Sequence, residues 1–409
     1  MKKYLNYPIV NLKSETYLTL IVFLAPLLYF LSGINVDIYS PSMPTIAAYF
    51  HASMVATKNT ISITVLGWAI GGLTFGILID SLGRKKVLLF GMFLYVIFSA
   101  VAPFCESIRE IMLVRFIQGF SISSIIGARV LILDLFTGRR YMIAILYTSL
   151  GYGLGPIVGP FIGGLLQYYF DWQANFVALT IVSFVILFLL FVFVKESIVV
   201  RHPLKFQNIV KRCASVFTHK KFMIGAIIGG ITQIQLMLYP TIGSFIVEKT
   251  LHQTVLVYAN SALMVGAAYL VGNLMNRVLQ KYMSPKHICD AGFLILIIAT
   301  LISFLFSLIS TLELTTVMLP IFLTSVSAGF IFPNVLGANL KQFAHTPGIA
   351  MAVQSSVLLF SASIGIFLIS HVPVKTLFEL FMILCVMGIA ELLLFYGYYR
   401  SVFLENEST

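Results

Sequence analysis

The stretch YLTLIVFLAPLLYFLSG, residues 17–33, decides the fold because it is largely apolar and carries no charge. It is much longer than the apolar core of a signal peptide, and it lacks a small-residue cleavage motif. A helix of about 20 apolar residues crosses the ~30 Å hydrocarbon core of a bilayer. We therefore predict a membrane-spanning helix over 17–38 that remains in the mature protein.

Similar runs recur along the whole chain. Of its 409 residues, 59% are hydrophobic and 10% are charged, against about 45–50% and about 25% in soluble domains. The runs are continuous rather than alternating, which indicates helices and not a β-barrel. We predict an all-α membrane protein with twelve transmembrane helices in two pseudo-symmetric six-helix bundles. The predicted spans are 17–38, 59–79, 87–104, 110–132, 141–165, 174–194, 222–246, 254–275, 288–309, 315–335, 349–370 and 376–398.

The basic residues predict the orientation of these helices. The net charge is +11, and of 26 Lys and Arg, 20 fall in one alternate set of connecting segments and four in the other. Such asymmetry is typical of the positive-inside rule, so we expect both termini in the cytoplasm and contact with anionic lipid, not nucleic acid. The remaining two, Arg115 and Arg129, lie inside the fourth span.

Several classes of function are disfavoured by what the sequence lacks. The four cysteines are scattered without a CxxC pair, which predicts neither a disulfide framework nor a metal site. No Gly-x-x-x-x-Gly-Lys-Ser/Thr phosphate loop occurs, which argues against an ATP-driven pump. No nucleophile with an adjacent base is recognisable. We expect no cofactor and no enzymatic activity.

A basic interruption over 195–221 divides the chain into six spans on each side. We predict an N-terminal bundle over 1–194, a cytoplasmic linker over 195–221 and a C-terminal bundle over 222–409. The linker is either an amphipathic helix on the membrane surface or a plain solvated connection. GILID at 76–80 and GNLMN at 272–276 end the second and eighth spans, 196 residues apart. This echo favours a duplicated architecture with a binding site near the midplane.

Asp37 is the acid that stands out, because it follows an uncharged run inside the first span. An ionised carboxylate at a helix centre costs about 2.5–3.5 kcal/mol in a bilayer. Asp37 is therefore a candidate proton-binding switch. The alternative is an acid wetted at the outer end of its helix, where Pro41 and Pro44 interrupt the chain.

Two further charges inside spans need partners. Arg115 cannot lose its proton, so it must find acceptors or extend its side chain to the outer end of the fourth span. Glu391 lies midway along the last span, and it either pairs with a polar neighbour or forms a second proton site.

Five stretches carry a resemblance to a known family. GILIDSLGRKKVLLFG at 76–91 resembles the signature between the second and third helices of the major facilitator superfamily, and LVRFIQG at 113–119 resembles the signature of its fourth helix. GYGLGPIVGPFIGG at 151–164 is similar to the antiporter motif in the fifth helix of its drug exporters. VDIYSPSMPTIAAYF at 36–50 and ARVLILDLF at 128–136 resemble its Bcr/CflA-like drug:proton antiporter subfamily.

The resemblance implies roles for these residues. Asp37 would couple transport to protons, with Arg115 in the same network. Some relatives carry a second acid in the first helix where this chain has Tyr29, so coupling would rest on Asp37 alone or be shared with Glu391. Gating contacts at the cytoplasmic end would involve Gly76, Asp80, Gly83, Arg84 and Asp134, and Arg84 would pair with Asp134. Plain anchoring of a basic loop would also explain that turn.

The fifth span carries glycines at a spacing of four, which places them on one face where another helix can approach closely. Packing alone would explain this face, whereas the resemblance adds a role in sealing the two halves against leak. The residues of this gating motif are Gly151, Gly155, Pro156, Gly159 and Pro160.

A cavity for amphipathic compounds should combine aromatic rings with a few polar groups. Candidates for this cavity are Asn35, Tyr39, Gln118, Tyr152, Gln235 and Tyr239. Each of them alone is better explained as a contact between helices or an anchor at the membrane interface than as a ligand contact.

We therefore expect a proton-coupled secondary transporter in a bacterial-type inner membrane, acting as a monomer and exporting amphipathic drugs or metabolites. The alternative on the same fold is a dedicated metabolite or siderophore carrier, working by export or by import through symport. A sensor derived from a transporter is a third possibility, and it would require a large soluble signalling segment.

Overall fold

The computed structural model describes residues 14–197, 214–343 and 347–407, apart from a few side chains within these ranges. Twelve helices in this part of the chain are long and apolar enough to cross a membrane, which confirms the predicted number. In the first half they are α1 Glu15–Asp37, α2 Met54–Leu82, α3 Arg84–Val101, α4 Ile108–Ile122 with its continuation Ile126–Leu135, α5 Gly138–Phe170 and α6 Gln173–Phe193.

In the second half they are α7 Lys220–Phe245, α8 Val255–Leu279, α9 Pro285–Ile309, α10 Leu314–Lys341, α11 Pro347–Ser370 and α12 Leu377–Leu394. Single π turns extend α7 and α12, and a short helix, Arg400–Glu407, follows. Most of the predicted linker, residues 198–213, lies outside the described residues. The two predicted alternatives for it, an amphipathic helix and a solvated connection, concern these residues.

Local sequence sets the helix ends. Ser53 caps α2 by accepting a hydrogen bond from the backbone of Ala56 at 3.1 Å. A single residue, Gly83, separates α2 from α3, and its φ of +109° belongs to a region that favours glycine. The chain after α1 breaks at Asp37 and passes through the 3₁₀ turn Ser40–Ser42, which contains Pro41, before the short helix Met43–Tyr49.

The two halves repeat the same packing. In the first half α1 packs on α5, α2 on α4 and α3 on α6; in the second, α7 packs on α11, α8 on α10 and α9 on α12. The pairs correspond with an offset of six helices. Between the halves α2 packs on α11 and α5 on α8. On this basis we propose 1–194 and 222–409 as the two bundles, joined by 195–221.

The two ends of the molecule differ. We call the end that carries Arg84, Arg140, Lys220 and Lys341 the basic face, and the other end the opposite face. A buried apolar cluster with residues of both halves, including Met43 of the first and Ile242 of the second, lies toward the opposite face. None of the other buried clusters joins the two halves, and one cluster of the second half also contains Val216 of the segment 195–221.

The glycines of α5 form a seam against α1, as their spacing predicted. A Cβ added at Gly151 would meet the backbone of Pro26, and one at Gly155 would overlap the backbone of Gly33. At Gly159 the added atom would lie 2.9 Å from the Cβ of Asp37. The seam therefore fixes how closely the acid of α1 approaches α5.

We expect Gly155→Val to destabilise the protein, because the backbones of α1 and α5 would have to separate. Overpacking of this kind costs about 1–3 kcal/mol. Detergent-solubilised protein should show a lower midpoint of thermal unfolding, measured by size-exclusion chromatography after heating. The matched control is Gly153→Val, because an added Cβ there meets nothing within 4 Å. Equal midpoints for the two variants would contradict this account of the seam.

Candidate transport site

A cavity of about 100 Å³ lies between the two halves. Its walls come from α1, α2, α5, α7, α8 and α10, and they combine aromatic rings with a few polar groups. The aromatic residues are Trp68, Tyr152, Tyr239, Tyr269 and Phe332, and the polar ones include Ser32, Asp37 and Gln233. Drug-sized ligands fill roughly 300–1,000 Å³, so this conformation is too closed to hold one without further opening.

Asp37 is the acidic residue of the cavity wall. It is the last residue of α1 and is only 2% exposed. Its Oδ2 and the Oγ of Ser32 have no hydrogen-bond partner within the described chain. Buried polar atoms without partners are uncommon because each costs free energy. Their convergence on one cavity indicates a place where protons, water or ligand can bind.

Arg115 is fully buried beside this acid but does not form an ion pair with it. Its Nη1 donates to Asn35 Oδ1 at 3.3 Å and to Gln118 Oε1 at 3.0 Å. Its guanidinium carbon lies 4.7 Å from the ring centroid of Tyr39, a cation–π contact. No described carboxylate oxygen, including those of Asp37, lies within 4.0 Å of its nitrogens. The acceptors of Arg115 are therefore neutral.

The neutral partners of Arg115 extend into a network with α3. Tyr95 donates its hydroxyl to Asn35 Oδ1 at 2.8 Å, and Gln118 Nε2 donates to Ser99 Oγ at 2.8 Å. Asn35, Tyr39 and Gln118, which we expected in the cavity, do not line it, because a buried guanidinium needs their oxygens and ring. Tyr95 and Ser99 were missed, since nothing in an apolar span shows which helix face they occupy.

Glu391 occupies a separate polar site in the second half. Its Oε1 accepts a hydrogen bond from Thr232 at 2.6 Å, and its Oε2 accepts one from Gln235 at 2.7 Å. The side chain is fully buried and does not line the cavity. Gln235 thus lies with Glu391 and not with the cavity, whereas Tyr152 and Tyr239 line the cavity.

The predicted pair at the basic face is present. Arg84 Nε donates to Asp134 Oδ2 at 3.0 Å, and Ser197 donates to the same oxygen at 2.6 Å. Glu196, which the sequence did not single out, accepts a hydrogen bond from the backbone of Arg84 at 2.9 Å. A carboxylate at this place stabilises the start of α3, and a Cβ added at Gly83 would require the Glu196 side chain to shift.

The other predicted gating residues lie around this pair and along α5. Asp80 belongs to α2, but its side chain lies outside the described part of the structure. Gly76 lies next to Ile126 of α4. Pro156 and Pro160 face the cavity, and an added Cβ at Gly266 of α8 would lie 2.9 Å from the carbonyl oxygen of Pro156. Thus α5 packs on α1 with one side and on α8 with the other.

Residues 27–366, most of the chain, match the family described as Major Facilitator Superfamily. The chain belongs to this superfamily. A Bacillus subtilis (strain 168) protein named "Uncharacterized MFS-type transporter YdgK" is 25% identical over 84% of this chain and 87% of its own length. "Multidrug resistance protein MdtM" of Escherichia coli O157:H7 is 24% identical over 85% and 86%.

Solved structures of transporters share the fold of this superfamily member. A crystal structure of a D-xylose-proton symporter superposes with a TM-score of 0.75 at 16% identity, covering 94% of this chain and 98% of the other. This likeness confirms the twelve-helix fold, and the family match over residues 27–366 confirms the superfamily. The protein is a multi-pass membrane transporter of a small molecule and not an enzyme.

The two halves of this transporter also contact each other between the cavity and the opposite face. Ser62 of α2 and Ser363 of α11 each donate their hydroxyl to the other's carbonyl oxygen at 2.8 Å, and their Oγ atoms lie 3.3 Å apart. Ser40 and Tyr258 share a hydrogen bond of 2.8 Å between the first half and α8. These contacts close the route from the cavity toward the opposite face.

We expect cysteines at positions 62 and 363 to form a disulfide in this conformation, because the two Oγ atoms already lie close together. The four native cysteines would first be replaced by serine. Copper phenanthroline should then give a band of altered mobility for Ser62→Cys with Ser363→Cys, reversible by reductant. The control pairs Ser62→Cys with Ser356→Cys, about 10 Å further along α11. Equal crosslinking of both pairs would contradict the assigned closure.

Proposed function

We propose that this transporter is proton-coupled and exports amphipathic drugs or metabolites by alternating access, with Asp37 as its proton site. The observation that carries this proposal is the carboxylate of Asp37 at the wall of a central cavity, with one oxygen lacking a partner. The multidrug-resistance name of the Escherichia coli relative supports drugs as cargo. Export is the direction in which a transporter would lower the level of a drug inside the cell.

The proposed coupling rests on competition inside one small cavity. An ionised Asp37 would lack donors for Oδ2, whereas a bound proton removes the charge and lets the carboxyl pack against apolar walls. A ligand that brings a donor or a positive charge can replace the proton. Proton and ligand would then occupy the site alternately, and each exchange would accompany a change of the open side.

Arg115 would respond to the charge on Asp37. In the described conformation its hydrogen bonds go to Asn35 and Gln118, and its Nε and Nη2 have no partner within the described chain. These unused donors could turn toward Asp37 when that acid ionises. Since a guanidinium keeps its charge, the movement of Arg115 would report the protonation of Asp37 to α4.

Glu391 is proposed as a second proton site. The hydroxyl of Thr232 lies within reach of both Glu391 Oε1 and the carbonyl oxygen of Ile228, at 2.6 and 3.0 Å. A protonated Glu391 could donate to Thr232 while Thr232 donates to Ile228, and Gln235 could still donate to Oε2. The site can therefore accept a proton without losing a hydrogen bond.

The proposed gate at the basic face consists of Asp80, Gly83, Arg84 and Asp134, with Gly76 at the α2–α4 contact. The ion pair of Arg84 with Asp134 joins the α2–α3 turn to the end of α4. The glycines and prolines of α5 would restrain leak, because this helix touches α1, α8 and the cavity together. Breaking and remaking these contacts would accompany opening of the basic face.

The basic face is proposed to lie in the cytoplasm of a bacterial-type cell, with both termini on that side of the inner membrane and the protein acting as a monomer. The distribution of Lys and Arg supports this orientation.

One proton moving inward across 100 mV releases about 2.3 kcal/mol, enough for a roughly 50-fold gradient of cargo.

A dedicated carrier of one metabolite or siderophore, exporting it or importing it by symport, remains the second candidate. The D-xylose-proton symporter supports it only through shared fold. Cells with and without the gene would separate the two directions, because an importer raises the internal level of labelled compound and an exporter lowers it.

We expect Asp37→Asn to abolish proton coupling. A compound that raises the unfolding temperature of the purified protein should release protons from everted, energised vesicles containing the native chain. The release should fall to the level of empty vesicles in Asp37→Asn, because the amide cannot exchange a proton.

The matched control is Glu106→Gln, which removes an exposed carboxylate outside the spanning helices and should leave proton release unchanged. Glu391→Gln, measured alongside, should lower the number of protons released per cargo molecule if the second site titrates. Uphill transport by Asp37→Asn would overturn the assignment of the proton site.

A further inference from the structure

The helices that line the cavity repeat between the halves at a constant spacing. His51 and His252, which are 201 residues apart, precede α2 and α8 with φ of +49° and +52°. At the same spacing, a Cβ added at Gly71 or Gly272 would meet a carbonyl oxygen of α4 or α10, and the buried positions of α2 recur in α8. The halves of this superfamily are related by an axis along the membrane normal, so equivalent residues lie at equal depth.

This spacing relates residues on opposite sides of the cavity. Trp68 of α2 corresponds to Tyr269 of α8, and Ser32 of α1 corresponds to Gln233 of α7; all four line the cavity. Asp37 departs from the symmetry, because the equivalent residue of α7 is a leucine. Among the described residues of the wall, Asp37 is the one charged side chain. The cavity therefore has an approximately twofold frame that carries an acid on one side.

Ser32 and Gln233 have unused hydrogen-bonding capacity. The Oγ of Ser32 is buried and has no partner within the described chain. Gln233 is 7% exposed, and its side-chain amide makes no hydrogen bond to any described residue. Its neighbours Thr232 and Gln235, in contrast, both donate to Glu391. Because unpaired buried polar groups cost free energy, two of them at one depth of a cavity indicate where a polar group of a ligand binds.

The two side chains determine which polar group would fit between them. A serine hydroxyl and a carboxamide both donate and accept hydrogen bonds, and neither is charged. The described wall offers no cation to balance an anion. Asp37 lies five residues beyond Ser32, about 7.5 Å further along a helix. A second charge at the depth of Ser32 would therefore be unpaired, whereas a neutral group that donates and accepts could be satisfied from both halves.

We propose that Ser32 and Gln233 are specificity-determining residues, which bind a neutral carboxamide or urea group of the cargo from the two halves while a cationic end lies at Asp37. This inference rests on the proposed function, because it uses the same cavity, and it names the chemistry of the cargo. Trp68 and Tyr269 would contact the apolar middle of the molecule. A cargo bound by α1 and α7 together stabilises the conformation in which these helices are close.

The test measures the binding of three probes to the full chain in lipid nanodiscs by isothermal titration calorimetry. The probes are 4-(2-aminoethyl)benzamide, 2-(4-isopropylphenyl)ethylamine and 4-(2-aminoethyl)benzoate. They share a phenethylamine skeleton and differ in the group opposite the aminoethyl chain. That group is a neutral amide in the first probe, a hydrocarbon of nearly the same shape in the second and an anion in the third.

We expect the benzamide to bind about tenfold more tightly than the isopropyl probe, which corresponds to about 1.4 kcal/mol from new hydrogen bonds. The benzoate should bind more weakly than the benzamide. Gln233→Leu should remove the advantage of the benzamide and leave the isopropyl probe unaffected. Ser32→Ala should remove part of that advantage, and it provides the answer if the leucine variant fails to fold. The matched control Gln253→Leu, which removes an exposed amide at the opposite face, should keep the native preference.

Three results would overturn the assignment. They are a lack of saturable binding of the benzamide to the native chain, binding of the benzoate at least as tight as that of the benzamide, and an unchanged preference in Gln233→Leu or, if that variant does not fold, in Ser32→Ala. Failure of the proton-coupling proposal is distinguishable, because it would appear as proton release by Asp37→Asn in vesicles, whereas calorimetry requires no proton flux.

Discussion

The close approach of α1 and α5 is the constraint on which the site depends. Glycines four residues apart let the two backbones touch from Pro26 to Ile38, because no side chain separates them. This contact positions Asp37 at the cavity wall, and the opposite side of α5 packs on α8 of the other half. A change in the angle between the halves must therefore move α5, which is also the helix that holds Asp37 in place. The seam links the position of Asp37 to the conformation of the whole molecule.

Four charged residues of the spanning helices show different solutions to one energetic problem. Glu391 has a donor for each oxygen, and Arg115 has neutral acceptors and an aromatic ring. Asp37 has an oxygen without a donor, and Arg129 has only a sulfur atom. Because an unpaired charge in low dielectric costs more than a paired one, the least satisfied groups are those that a proton or a ligand would stabilise most. Both border the space between the halves.

The sequence predicted the helices well because length and apolarity alone determine what can cross a bilayer. It also predicted the Arg84–Asp134 pair, through a motif, and the glycine seam, through its spacing. It failed to separate cavity residues from structural ones at Asn35, Tyr39 and Gln118. An apolar span carries little amphipathic signal, so the direction of a polar side chain depends on which helices become neighbours.

No ion pair joins described residues of the two halves, and this has a consequence for alternating access. Each ion pair between described residues, Arg84 with Asp134, Glu15 with Arg140 and Asp290 with Arg400, lies within one half. Where cations do reach the other half, Lys58 lies 5.6 Å over the ring of Phe245 and Arg129 reaches Met351.

Breaking a buried ion pair leaves two uncompensated charges and costs about 3–5 kcal/mol. Separating a cation from an aromatic ring costs about 0.5–2 kcal/mol and leaves no uncompensated partner. When the halves separate, the serine hydroxyls of α2 and α11 can instead donate hydrogen bonds to carbonyl oxygens of their own helices. An interface of this kind loses less free energy per contact on opening than one sealed by buried ion pairs.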